Sequence, residues 1–169
     1  MIIALFIVLL FLSALFSSLE TAFFHIKSFN NVNDNVKTLL KRPKKLLSTL
    51  ITGNTIVNIA IGSLAATYTM NILAPQYTVL PISSLLILEV IIVTFLVLVF
   101  GEIIPKTYAI SKSEKFANSS SKFVQIIVKI IYPFAFIFYK ITDLFIKVLP
   151  LRQEQIFDSE EELMMLAEV

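Results

Sequence analysis

The sequence contains no cysteine and little charge. Without cysteine, neither disulfide bonds nor thiolate metal sites can form. Charged residues make up 15% of the chain and hydrophobic residues 57%, whereas typical soluble proteins have about 25% and about 45 to 50%. Charge is missing from Met1 to Leu19 and from Leu46 to Leu88, runs long enough for the roughly 20 apolar residues that cross a bilayer core. The chain is therefore predicted to be an integral membrane protein.

Catalytic signatures are missing as well. The chain has a single histidine, His25, and it has no His-Glu-x-x-His motif, no Gly-x-Ser-x-Gly motif and no paired intramembrane aspartates. We therefore predict that it is not an enzyme. No nucleic-acid-binding motif is present, and the basic loops suit lipid headgroups better. The expected partner is the lipid bilayer.

The hydrophobic runs predict three transmembrane helices, at about residues 2–24, 46–68 and 82–108. The first run is predicted to be a retained span, because a cleaved signal peptide begins with a positive region and the first basic residue here is Lys27. The first loop is strongly basic, whereas residues 71–81 carry no charge. By the positive-inside rule the first loop is cytoplasmic, the N-terminus lies outside and the C-terminus is cytoplasmic. The basic residues of the first loop, opposed only by Asp34, are Lys27, Lys37, Lys41, Arg42, Lys44 and Lys45.

A further apolar stretch at residues 123–149, within predicted juxtamembrane helices at about 114–149, differs from the three spans in its lysines. At 100° per residue its lysines fall within about 20° of one another, opposite Phe and Ile. This pattern predicts helices that lie in the membrane interface on the cytoplasmic side, and Pro133 is expected to kink or divide them. The alternative is a fourth span whose lysines line a cavity or reach the interface. The lysines in question are Lys122, Lys129, Lys140 and Lys147.

These elements predict an all-α integral membrane fold with three transmembrane helices and kinked cytoplasmic juxtamembrane amphipathic helices. The transmembrane domain is expected to occupy residues 1–150. Residues 151–169 are acidic, and Ser159 with Glu162 fits a capping box at the start of a helix. This last segment is expected to begin a cytoplasmic linker or helix that leads to a further domain.

Polar residues inside the spans fall at a common depth. At 1.5 Å per residue they lie roughly 6 to 18 Å from the cytoplasmic end of each span, and within a span they share one helical face. All of them offer oxygen, so a hard cation such as Mg²⁺, Ca²⁺ or Na⁺ is the expected guest. The set comprises Ser13, Ser17 and Glu20 in the first span, Asn54 and Asn58 in the second, and Gly101 and Glu102 in the third.

Each of these residues also has an ordinary structural explanation. The serines could bond to the backbone of their own helix, and the asparagines could join neighbouring helices. An ionisable Glu102 inside a span is harder to explain in that way, because burying it in a membrane is costly. We place Glu89 outside the site, since it lies about 140° around the helix from Glu102 and is expected to pair elsewhere. His25 is expected to be an interfacial residue.

With these residues in view, the chain resembles the transmembrane domain of the CorC and cyclin M (CNNM) family of magnesium transporters. The resemblance rests on one motif in each span, and the motifs occur in the family's order. They are Phe16-Ser17-x-x-Glu20-Thr21-Ala22, Gly53-Asn54-x-x-x-Asn58 and Gly101-Glu102-x-x-Pro105-Lys106.

The resemblance implies a homodimer that transports Mg²⁺, with Na⁺ as the coupling ion, and a pair of ATP-binding CBS domains after Val169. By motif position, it implies that Mg²⁺ is held by Ser17, Asn54, Asn58, the carbonyl of Gly101, and Glu102. Secondary candidates in the same spans are Ser13, Glu20, Gly53 and Lys106. The expected function is Na⁺-coupled Mg²⁺ export through an oxygen-lined site between the spans. The alternative is a membrane-anchored regulator that senses Mg²⁺ and acts on another transporter.

Overall fold

The computed structural model of the protein describes residues 1–26, 28–76 and 81–148. Within these ranges all regular elements are helical, which confirms the all-α membrane fold. The α-helices are α1 (Ile2–Phe24), α2 (Asp34–Leu40), α3 (Pro43–Tyr68), α4 (Ile82–Leu96), α5 (Ile104–Ser111) and α6 (Ser113–Val148).

Three continuous helical stretches are long and apolar enough to cross a membrane: Ile2–Phe24, Pro43–Leu73 and Ile82–Ser111. The second begins three residues before the sequence-based expectation, because Pro43 occupies a first-turn position, where proline is well tolerated. The third runs through α4 and α5 without a break.

Two π-helical segments interrupt the regular geometry of these spans. Thr69–Leu73 ends the second span, and Val97–Ile103 lies inside the third. In a π-helix the N–H bonds to the carbonyl five residues back, and such segments are frequent at functional sites. In the third span, the N–H of Ile104 bonds to the carbonyl of Val99. The second and third spans therefore each contain a local change in helical phase.

The first and third spans are buried mainly in the half that adjoins residues 25–42, which we call the loop-side half; the opposite half is the far half. Burial in α1 begins at Ser13 and includes Leu19, Ala22 and Phe23. By contrast, α4 in the far half contains no buried residue. The hydrophobic core therefore lies in the loop-side half, where it joins the three spans to α2 and α6.

Polar contacts fasten α6 to the segment between α1 and α3. Asn33 caps α2 by accepting a hydrogen bond from the N–H of Val36 at 2.9 Å. The N–H of Asn33 also donates to Asn118 Oδ1 at 2.7 Å, and Asn118 Nδ2 donates to the carbonyl of Asn31 at 2.8 Å. Further along α6, the ring of Tyr132 lies 4.0 Å below Lys45 Nζ. The first twenty residues of α6 thus lie beside the loop-side ends of α1 and α3.

One face of α6 is buried and the lysine face is exposed. Ala117, Val124 and Val128 belong to the core, while the side chains of Lys122 and Lys129 are exposed. The helix runs through Pro133 without ending, so of the two predicted effects of this proline, division does not occur. The predicted linker at 151–169 lies outside the described residues.

Candidate functional site

Hydrogen bonds between side chains join all three spans at one level. Ser13 Oγ of α1 lies 3.2 Å from Asn54 Oδ1 and 2.7 Å from Asn58 Oδ1, both on α3. Asn58 Nδ2 in turn donates to Glu102 Oε1 of the third span at 3.4 Å. We call these four residues, Ser13, Asn54, Asn58 and Glu102, the polar cluster. Four of the polar residues that the sequence places at a common depth are thus in direct contact.

Two glycines allow the helices to approach closely enough for these contacts. A Cβ atom on Gly101 would lie 2.9 Å from Ser13 Oγ, so the third span touches α1 at the cluster itself. A Cβ atom on Gly53 would overlap the ring of Phe16, which packs against the bare backbone of α3 next to Asn54. The role of Gly53 is therefore close packing of α1 on α3.

The backbone of the third span is altered at the cluster. Gly101 and Glu102 lie in the π-helix Val97–Ile103, and Pro105 has no N–H to offer the Gly101 carbonyl as a residue four positions later would in an α-helix. The carbonyl of Pro105 accepts a hydrogen bond from Ser18 Oγ at 3.3 Å. The sequence analysis missed Ser18, because a serine that contacts a neighbouring backbone carries no motif signal.

Two amide oxygens of the polar cluster face a single serine hydroxyl. A serine hydroxyl has one proton, so Ser13 can donate to only one of the two asparagine oxygens that lie within 3.2 Å of it. The other amide oxygen faces the hydroxyl oxygen without a proton between them. Both amide oxygens therefore lie beside the serine oxygen, and three neighbouring oxygens of this kind can act as ligands of a hard cation.

Ser17 adds a buried hydroxyl without a partner. It lies on α1 one turn from Ser13, about 6 Å along the helix axis. Its side chain is completely buried, and its Oγ has no hydrogen-bond partner among the described residues. A buried hydroxyl left unpaired costs about 1 to 3 kcal/mol, which a water molecule or a cation bound at Ser17 would offset.

The structure assigns different places to the remaining sequence candidates. Ser13, a secondary candidate from the sequence, occupies the centre of the hydrogen-bonded cluster. Glu20 and Lys106 are partly buried but do not take part in the hydrogen bonds of the polar cluster. Of the two carboxylates expected at the site, Glu20 and Glu102, only Glu102 belongs to the polar cluster.

Two residues that the sequence analysis placed outside the site also lie outside the polar cluster. His25 is exposed at the end of α1, and its backbone carbonyl accepts a hydrogen bond from Ser113 Oγ at 2.9 Å. Glu89 lies in the far half and lines a cavity there. One of its two carboxylate oxygens, Oε2, is buried without a hydrogen bond among the described residues.

The donor set excludes several kinds of metal site in the described part of the chain. There is no group of three or more His, Cys, Asp or Glu side chains that could hold a metal ion. The polar cluster offers hydroxyl and amide oxygens with one carboxylate, which suits hard cations and not zinc or other soft metals.

The chain is similar to UPF0053 proteins over nearly its whole length. It is 29% identical to a UPF0053 protein of Haemophilus influenzae over 167 residues, covering 92% of this chain and 38% of the relative. It is 27% identical to the UPF0053 inner membrane protein YfjD of Escherichia coli over 164 residues, covering 90% of this chain and 36% of the relative. The chain thus spans little more than a third of the length of these relatives.

A family model identifies the family of the chain. Residues 4–169 match the model of the cyclin M transmembrane N-terminal domain, so the match includes all three spans and every residue of the polar cluster. The resemblance stated from the three motifs is confirmed, and the chain belongs to the cyclin M transmembrane N-terminal domain family.

Proposed function

We propose that the polar cluster is a Mg²⁺ site and that the protein carries Mg²⁺ across the membrane. The observation that supports this most strongly is the spacing of the oxygens. Adjacent oxygens around an octahedral Mg²⁺ at about 2.0 to 2.1 Å are about 2.9 Å apart. The two distances from Ser13 Oγ to the asparagine oxygens, 3.2 and 2.7 Å, lie on either side of that value.

The cluster supplies a partial coordination shell. Ser13, Asn54 and Asn58 contribute neutral oxygens, and Glu102 contributes charge. The Ser17 hydroxyl and the Gly101 carbonyl are the next donors along the same faces. Because Mg²⁺ gives up its water reluctantly, a shell of few protein oxygens completed by water binds the ion without trapping it. A single carboxylate also leaves the bound ion with net positive charge, which favours its release.

The electrical work of moving Mg²⁺ across the membrane determines whether transport needs a driving ion. Moving a divalent cation out against an inside-negative potential costs about 4.6 kcal/mol per 100 mV, from about 2.3 per charge. Export therefore needs a driving ion, and Na⁺ entry is the one we propose. With the basic first loop cytoplasmic, Mg²⁺ reaches the cluster from the loop side, and the site then alternates to face outward. No catalytic step takes part in this proposal.

Purified protein in liposomes tests the proposal. We expect Mg²⁺ flux that increases with an opposing Na⁺ gradient and that is lost in Glu102→Gln. The second candidate, a Mg²⁺-sensing regulator of another transporter, uses the same oxygens but moves no ion. Protein that binds Mg²⁺ yet gives no flux under any Na⁺ gradient would contradict transport and favour the regulator.

The family also leads us to propose that the protein forms a homodimer and that ATP regulates it through a pair of CBS domains. Orientation is testable in this chain without background, because it has no native cysteine. A cysteine introduced at exposed Asn71 should react with a membrane-impermeant reagent from outside the cell, and one at exposed Lys37 only after permeabilisation. The reverse pattern would invert the topology.

A further inference from the structure

The far half of the bundle contains a cavity of about 280 Å³ between the spans. Its walls are almost entirely aliphatic or aromatic and come from α1, α3 with its terminal π-helix, and α4. Glu89 lies among these walls, with Thr69 from the π-helix Thr69–Leu73. The volume holds about nine water molecules at about 30 Å³ each, so it is large enough for a partly hydrated ion.

The cavity is lined by the same three spans as the polar cluster and lies further toward the far side of the bundle. Phe6 of α1 and Ala65 of α3 line it, and each is seven residues from a cluster residue on its own helix, Ser13 and Asn58. Seven residues correspond to about 10.5 Å along a helix. Between the two levels lies Ile61, which is completely buried. An apolar layer therefore separates the cavity from the polar cluster.

Glu89 lacks the compensation that a carboxylate in such a place requires. Its Oε2 is buried, with no hydrogen-bond partner among the described residues. The Thr69 side chain lines the same cavity as the carboxylate and is itself 1% exposed. A hydroxyl can donate its proton to the carboxylate and still offer its oxygen to a cation. An ionisable residue inside a span normally faces a partner or an ion.

We propose that Glu89 and Thr69 form a second cation site, and that its occupant is a monovalent inorganic cation. One carboxylate balances one positive charge. A divalent ion here would keep a net charge of +1 among apolar walls, which is strongly unfavourable. The polar cluster differs, because its amide and hydroxyl oxygens solvate the excess charge of Mg²⁺. Binding of the monovalent ion stands by itself, whereas its role as the coupling ion rests on the proposed function.

The two sites share a backbone feature that supports this assignment. Glu102 lies in one π-helix, and Thr69 begins the other. In the second π-helix the N–H of Ala74 bonds to the Thr69 carbonyl at 2.8 Å. The threonine that faces Glu89 is thus held by a local departure from α-helical geometry, as Glu102 is in the polar cluster.

Thermal unfolding of the purified protein in detergent tests binding separately from transport. With Mg²⁺ chelated, we expect a higher midpoint in NaCl than in choline chloride of equal ionic strength, by about 2 to 4 °C at saturating Na⁺. Glu89→Gln should remove the difference and Thr69→Val should reduce it. Asp34→Asn and Thr67→Val are the matched controls and should keep it, because both residues are exposed and lie outside the cavity.

Several outcomes would overturn the second site. A Na⁺-dependent midpoint that persists in Glu89→Gln would place the ion elsewhere. No Na⁺ dependence in the wild type would show that the carboxylate is neutralised by a proton or covered by a second copy of the chain. Retention of the Na⁺ effect in Glu102→Gln is expected, and its loss would assign the ion to the polar cluster.

The second site and the proposed function can fail separately. If the wild type moves no Mg²⁺ but keeps the Glu89-dependent Na⁺ shift, transport is wrong and the site stands. If both hold, Glu89→Gln should keep the Mg²⁺ affinity of the wild type and lose the increase in flux that Na⁺ gives. A flux that still responds to Na⁺ in Glu89→Gln would contradict the coupling role.

Discussion

The loop-side and far halves of the same three spans differ in how closely their helices approach. In the loop-side half, the ring of Phe16 packs against the backbone of Gly53, and the hydroxyl of Ser13 packs against the backbone of Gly101. In the far half, a Cβ on Gly62 would meet nothing within 4 Å, and α4 has no buried residue. Close approach brings polar groups together in one half, and open packing leaves a cavity in the other.

The difference teaches how a membrane bundle positions polar groups. In the loop-side half, Glu102 receives a hydrogen bond from Asn58, which is itself bonded to Ser13. In the far half, Glu89 has Thr69 beside it and apolar walls around it. The first arrangement can share the charge of a divalent ion among several oxygens, and the second can balance only a single charge.

Apart from removal of the Glu102 carboxylate itself, the largest loss of Mg²⁺ affinity is expected from Asn58→Leu in the loop-side half. This change removes the residue that bonds both Ser13 and Glu102, and it leaves the carboxylate without its neutral donor. Mg²⁺ affinity, measured by isothermal titration, should fall by about a hundredfold, or ~2.7 kcal/mol. Asn71→Leu is the matched control, because Asn71 is exposed and, among the described residues, its side chain donates to the Thr67 carbonyl of its own helix. Equal affinities in the two variants would remove Asn58 from the site.

The next effect is one of stability, and it compares two glycines of one span. Gly53→Ala places a methyl group against the Phe16 ring, and such overpacking costs about 1 to 3 kcal/mol. Gly62→Ala meets open space and should change little. Thermal unfolding of both variants in detergent measures the contrast. The double variant Gly53→Ala with Phe16→Leu should recover part of the loss; equal midpoints for the two single variants would refute the contrast in packing.

A smaller effect on binding is expected from Gly101→Ala. The new methyl group would lie 2.9 Å from Ser13 Oγ and displace that hydroxyl from the asparagines. We expect about a tenfold loss of Mg²⁺ affinity, ~1.4 kcal/mol, while the protein remains folded. Gly62→Ala again serves as control and should bind as the wild type does. An unchanged affinity in Gly101→Ala would show that Ser13 is not a ligand.

The smallest effect, from Ser17→Ala, should have opposite signs in two measurements. The variant removes a buried hydroxyl that has no partner among the described residues, so without Mg²⁺ the midpoint of unfolding should rise. If the hydroxyl binds the ion, Mg²⁺ affinity should fall about fivefold, ~1 kcal/mol. A rise in stability with unchanged affinity would leave Ser17 as a packing residue.

Much of the fold follows from the sequence. The first span was predicted at 2–24 and lies at Ile2–Phe24, because uncharged apolar runs define spans directly. The third span extends past its predicted end at 108 to Ser111, since helices tolerate polar residues beyond the membrane. The short helix α2 inside the basic loop was not predicted. Asn33 as its N-cap is a local signal, but the helix also depends on contact with α6, which no local pattern shows.

The candidate site was predicted less completely. Helical spacing puts Ser13 and Ser17 on one face but cannot tell which of them meets α3, because the contact of Gly101 with Ser13 fixes the rotation of α1. The separation assigned to Glu89 and Glu102 assumed 100° per residue throughout, and the π-helix Val97–Ile103 breaks that assumption. The cavity around Glu89 depends on three helices and has no sequence signature.

The most direct test of a divalent-cation site in the polar cluster is isothermal titration of Mg²⁺ into the purified wild type and Glu102→Ala. We predict saturable binding to the wild type and none to Glu102→Ala, with far-UV circular dichroism unchanged between the two. The carboxylate is the only charged group in the polar cluster, so its removal leaves neutral oxygens alone to replace the hydration of a divalent ion. Equal Mg²⁺ affinity in the two proteins would contradict the account.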